Sequence, residues 1–343
     1  MLNDKYNFTT GEEIPKTLIN HQAIYKNALN PMVWTSDYWY KKKDVINYSS
    51  KGMDKDDPQS FLEFTSGRND SEWKFLGDGI CHMKGTYPRL YITNSNYKNV
   101  ECTMYYRNNS GLETKDTDGA DFGCRSHLLG HRDENYFKYT HTYYGRLRGN
   151  GTGDLAKEAH HREDFLSDGF TYDTTYRTWG NGKYRKTKKI FGGGNIPSGQ
   201  WIGWKVIVSN IKGSEGKKIL LQTWIDVKSN GEPEKYAPEN WQCVETLIDE
   251  YGKFPTAPST IYEYYGTDPK SIYDNTGIVF IRNSWIPNYG ADYKDIVVRE
   301  IDEINEECII TNPSFTPNYS ILTDYFNNLI EIVKYVFESI LKK

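Results

Sequence analysis

Short runs in which apolar and polar residues alternate, each closed off by Gly, Asn, Asp or Pro, recur along most of this chain: GICHMKGT, PRLYITN, NVECTMYYRN, NYFKYTHTYYGRLRG, GWKVIVSNI, KKILLQTWIDV, TGIVFIRN and YKDIVVREID. A period of two sends successive side chains to opposite faces, so runs of this length form strands with one face buried. The rhythm favours antiparallel strands over alternating βαβ units and predicts an all-β sandwich of two sheets. GWKVIVSNI and KKILLQTWIDV, joined by KGSEG, read as a hairpin with a Gly-containing loop. In its second strand Leu221, Thr223, Ile225 and Val227 share the face expected to enter the core. Gln222 and Trp224 then point to the opposite surface, where a curved sheet can form a ligand groove.

Composition narrows the function classes. A chain of 343 residues could hold two average domains, but β-sandwiches often run to roughly 200–250 residues as one. Aromatic residues make up 15%, with 28 Tyr and 9 Trp, which argues against disorder despite a modest apolar content. The formal net charge of −4 supplies no global basic field, which argues against a general nucleic-acid binder although local basic stretches such as KYRKTKK exist. The five cysteines form no CxxC pair and are odd in number; they read as mostly reduced and buried, without a zinc knuckle or a disulfide framework. MLNDKYNFTTGEEIPK lacks the basic and apolar regions of a secretory signal, so an intracellular or particle-associated location is expected. No apolar run approaches the roughly 18–20 residues of a membrane span.

Two segments stand outside the strand rhythm. Residues 1–34 read as an N-terminal arm and 35–303 as the sandwich; 304–316 form a turn-rich linker. Over 317–343, Leu322, Tyr325, Phe326, Leu329, Ile332, Val333, Val336, Phe337 and Ile340 recur at spacings of three and four, predicting an appended amphipathic helix. Its apolar face is expected to dock on the fold or to drive self-association.

Chemistry concentrates in one stretch. Five of the seven histidines fall between His127 and His161, among Arg125, Tyr139, Tyr144, Arg146 and Lys157. Counted at period two, these side chains are expected to meet on one concave face. Arg or Lys can neutralise a carboxylate, and His or Tyr can take and return a proton. That set suits β-elimination from a uronate-containing polysaccharide, with His127, Tyr144 and His161 as proton-transfer residues. Arg125, Arg146, Lys157, Trp224, Gln222 and Tyr139 are then the substrate-binding residues. A divalent ion on His127 and His131 with Asp121, or on His160 and His161 with Glu158, is disfavoured because adjacent strand residues face opposite ways. No metal or other cofactor is expected.

The order of WTSDYWYKKKDVINY, PRLYITNSNYKNVECTMYYRN, the WIGWKVIVSNI/ILLQTWIDV hairpin and the closing TGIVFIRN and YKDIVVREID resembles the concanavalin A-like lectin/glucanase superfamily over about residues 35–303. The resemblance implies a jelly-roll. Within it, Tyr136 to Arg146 (YFKYTHTYYGR) is similar to the YFKxGxYxQ strand of family 7 alginate lyases, with Tyr139 and Thr140 at the small positions and Arg146 at the Gln position. Laminarinase-like EIDxE or EIDxxE motifs are approached by Glu300-Ile-Asp302-Glu303, but Ile304 and Asn305 break either register. Three classes remain open: a polysaccharide lyase, a non-catalytic glycan-binding module, and a structural or particle-surface protein of the same fold.

Overall fold

The computed structural model describes residues 23–66, 68–109, 119–126, 142–158, 185–191, 194–250, 274, 276–284 and 286–311. The predicted C-terminal helix, 317–343, lies outside them. Among the described residues there is no α-helix, and the strands form two antiparallel sheets. The strands are β1 (Val33–Thr35), β2 (Val45–Asn47), β3 (Gly52–Met53), β4 (Leu62–Ser66), β5 (Glu72–Phe75), β6 (Cys81–Gly85), β7 (Pro88–Tyr97), β8 (Val100–Asn108), β9 (Gly119–Ser126), β10 (Thr142–Arg148), β11 (Thr152–Glu158), β12 (Arg185–Lys189), β13 (Trp201–Asn210), β14 (Lys218–Asp226), β15 (Gln242–Glu250), β16 (Gly277–Ser284) and β17 (Ile286–Glu300).

One sheet runs β15-β14-β13-β8-β17-β6-β5-β2, with β1 also paired to β17, and the other runs β12-β11-β10-β9-β16-β7-β4-β3. The expected two-sheet sandwich is therefore what the chain forms. The alternation explains the layering. Cys102, Met104 and Tyr106 of β8, Trp204, Val206 and Val208 of β13, and Ile219, Leu221 and Ile225 of β14 face Phe122, Tyr143, Leu147, Leu155, Val279 and Ile281 of the other sheet in one core. Each such side chain contributes roughly 1.5–3 kcal/mol by leaving water. The predicted hairpin is β13–β14, in register from Gly203↔Asp226 to Asn210↔Ile219.

The outer face of the β13–β14 hairpin departs from expectation. Gln222 and Trp224 do point away from the main core, but they line no open groove. They are buried in a second apolar layer with Tyr105, Trp201, Ile207, Tyr236 and Trp241. Tyr25 and Ile310 close over them. The Tyr25 hydroxyl donates to Gln222 Oε1 at 2.9 Å, and Gln222 Nε2 donates to the Ile310 carbonyl at 2.8 Å and to Thr246 Oγ1 at 3.0 Å. Burial, ahead of every other influence, pushes the Tyr25 phenol up to about 12. A polar side chain on the predicted surface was thus the anchor for two chain segments near opposite ends of the described chain.

Candidate functional site

The outer face of the second sheet carries the densest chemistry among the described residues. Cross-strand register aligns Asp154 (β11), Arg146 (β10), Asp121 (β9), Arg282 (β16), Arg89 (β7) and Thr65 (β4) in one row. A second row beside it holds Ala156, Tyr144, Gly123, Phe280, Tyr91 and Glu63. The first row is ionic and the second aromatic. Phe280 packs edge-on to Tyr144 at 5.6 Å between ring centroids and tilted against Tyr91 at 5.5 Å. Gly123 makes that strip possible, because a Cβ there would lie 2.2 Å from the Phe280 ring.

Asp121 organises the ionic row. Its Oδ2 accepts from Arg282 Nε at 2.8 Å and Nη2 at 2.7 Å and from Ser284 Oγ at 2.6 Å. Its Oδ1 faces Arg148 Nη1 at 3.7 Å and Arg146 Nε at 3.8 Å. Burial alone would raise this carboxyl, but Arg282, then Arg148 and Arg146, hold it down at about 2. Arg148 Nε also lies 3.4 Å from Asp154. Arg146 stacks over the Tyr144 ring at 4.5 Å, with Arg282 at 5.4 Å from the same ring. Burial, then the neighbouring Arg148 charge, lowers the Arg146 guanidinium from its usual value. Its Nε is buried and has no hydrogen-bond acceptor among the described residues. Most of the face is closed to water. Its more accessible margin lies at Arg282, Arg89 and Tyr87, with Arg282 over the Tyr87 ring at 5.4 Å.

The structure brings together only part of the predicted set. Tyr144 and Arg146 lie side by side on this face. Lys157 does not join them, since it pairs in register with Tyr143 and turns into the sandwich, where its Nζ meets Asp249 of β15 at 2.8 Å beside the Tyr143 hydroxyl at 2.5 Å. Arg125 departs for a different reason. It has φ +54° at a bulge where the β9–β16 register shifts, so alternation fails there. Its guanidinium donates to the Lys98 carbonyl at 2.7 Å and to Asn210 at 2.7 Å, away from the Tyr144 row. Trp224 and Gln222 belong to the other sheet. His127, Tyr139 and His161 lie outside the described residues, as do His131, His141 and His160. Among the described residues the one histidine is His82, on the other sheet, bonded through Nδ1 to Asp292 at 2.6 Å. No group of three His, Cys, Asp or Glu side chains among the described residues is placed to hold a metal ion.

Sequence reasoning missed Arg282, Arg148, Arg89, Asp154, Phe280 and Tyr91, and weighed Asp121 only as a metal ligand. The signal was present in TGIVFIRNS and GADFGCRS, where Phe280, Arg282 and Ser284, and Asp121 and Gly123, recur at period two.

No protein-family model matches the chain, and no curated protein matches it. Similar solved structures include the metal-free VIP36 exoplasmic/lumenal domain, at 9% identity over 79% of this chain and 97% of that one, with TM-score 0.41. They also include the Lotus tetragonolobus seed lectin, at 10% identity over 75% and 97%, TM-score 0.38. The metal-free carbohydrate recognition domain of Emp46p matches at 8% identity over 72% and 91%, TM-score 0.37. The likeness lies in the layered sheets and carries no residue roles to this chain. No helix among the described residues is long and apolar enough to cross a membrane.

Proposed function

We propose that this protein binds an acidic glycan, a uronate-containing polysaccharide, at the accessible margin of the second sheet's outer face, around Arg282 of β16, Arg89 of β7 and Tyr87. The observation that supports this reading is the pair of guanidiniums at the accessible margin of the face, Arg282 and Arg89 in register across β16 and β7, with Arg282 over the Tyr87 ring at 5.4 Å. Planar guanidinium forks match carboxylates bidentately, and aromatic rings supply flat apolar area for the C–H faces of sugars. The chain end or branch of such a polymer would enter at Arg282, Arg89 and Tyr87. Calorimetric titration with oligouronates and with neutral glucans of equal length tests it. Arg282→Ala is expected to weaken oligouronate binding roughly 10- to 100-fold, as for the loss of a charge-assisted hydrogen bond. Equal affinity for the neutral glucans would refute it.

A second reading, β-elimination on the same polymer, draws on Tyr144, whose ring lies beneath two guanidiniums. The Tyr144 ring is buried beneath them, so this role requires Arg282 at the margin to move aside and admit the sugar before the phenol can exchange the proton that elimination moves. Elimination creates a conjugated unsaturated uronate that absorbs in the ultraviolet, whereas binding does not. Tyr144→Phe should then abolish the absorbance rise while oligouronates still bind. Native protein that binds but yields no absorbing product leaves the binding reading alone.

A further inference from the structure

Cys102 on β8 and Cys124 on β9 belong to different sheets, yet their Sγ atoms lie 3.8 Å apart in the middle of the core. Both are free and fully buried. Each sits in an interior strand: β8 lies between β13 and β17, and β9 between β10 and β16. Across the ladders Cys102 is opposite Val206 and Val298, and Cys124 is opposite Tyr143. A disulfide needs the sulfurs at about 2.05 Å, so closure asks the two sulfurs to approach each other by under roughly 2 Å.

We propose that Cys102 and Cys124 form a cystine that staples one sheet to the other when the chain folds in the presence of a disulfide oxidant. With glutathione disulfide as oxidant, one cysteine thiolate attacks a glutathione sulfur and expels one glutathione thiolate, leaving a mixed disulfide. The second cysteine thiolate then displaces the remaining glutathione. Two protein thiols lose two protons and two electrons, and one glutathione disulfide becomes two glutathione thiols. The bond is set during folding. Once the sandwich has closed, neither sulfur is reachable, and burial, followed by the neighbouring Cys124, pushes the Cys102 thiol well above its usual value.

Refolding from denaturant, once with dithiothreitol and once with a mixture of reduced and oxidised glutathione, tests this. The protein has five cysteines. The glutathione-refolded protein should lose the alkylatable thiols of Cys102 and Cys124 and, once any glutathione on the exposed Cys308 is accounted for, two hydrogens of mass. Its digest should contain one cross-linked peptide joining Cys102 to Cys124, and its unfolding midpoint should rise. Protein folded reduced and then given the same glutathione mixture should keep the Cys102 and Cys124 thiols over the same time, whatever the exposed Cys308 does. Recovery of Cys102 and Cys124 both alkylated after oxidative refolding would overturn the assignment, as would pairing of either with Cys81, Cys243 or Cys308. Rapid uptake of the bond by the folded reduced protein would overturn its timing. Should refolding yield fall short, the same peptide map on protein expressed in an oxidising compartment decides the question.

Discussion

Asp121 is a buried carboxylate held ionised by arginines on the two flanking strands, and its protonation is therefore tied to folding. Its folded value of about 2 lies below the roughly 3.9 of an unfolded aspartate. Between these limits the unfolded chain binds the proton and the folded chain does not, so the stabilisation is complete above about pH 4 and disappears as pH falls towards 2. The native protein is expected to lose on the order of 2 kcal/mol over that interval that Asp121→Asn, itself less stable, does not lose; urea midpoints at each pH would measure the difference. Gly123 makes a second residue-scale prediction. A methyl at this position meets Phe280 at 2.2 Å, and overpacking of this kind costs typically about 1–3 kcal/mol. Gly123→Ala should lower the melting temperature and, by displacing the aromatic row, weaken oligouronate binding as well.

The elements show what the sequence made legible and what it did not. Within a strand the faces could be read: Leu221 and Ile225 entered the core, and Gln222 and Trp224 faced away from it. Between strands they could not. A tight turn at Gly149–Gly151 fixes β10 against β11 so that Lys157 falls opposite Tyr143 and Ala156 opposite Tyr144. A one-residue difference in alignment moves a side chain to the other face, and nothing in local composition sets it. The bulge at Arg125 is similarly invisible, since it arises where β9 must match β16. The consequence is testable. Lys157→Met removes an ammonium from a buried bridge between sheets, beside the carboxylate of Asp249. It should cost about 3–5 kcal/mol in urea unfolding, leaving oligouronate affinity per folded molecule unchanged. Arg282→Ala should show the converse, a large loss of affinity with a smaller loss of stability.

Across the whole molecule, residues near both ends of the described chain complete the same sheet. Tyr25 and Ile310 meet over Gln222, and β1 joins β17 through Val33↔Arg299 and Thr35↔Val297. Gln222→Ala removes the side chain that both segments bond, and should make the 301–311 stretch open more readily; limited proteolysis or hydrogen exchange there is expected to accelerate before the core strands change. The placement of β17 has a further consequence, in the time domain. This strand fills the gap between β6 and β8, yet it follows them in the chain by roughly 200 positions. A ribosome adding about 5–20 residues each second leaves β6 and β8 waiting for roughly 10–40 seconds with unpaired edges. Throughout that interval the nascent chain presents open hydrogen-bonding edges on β6 and β8 to any neighbour, so its survival in the cell depends on what shields those edges until translation delivers the missing strand.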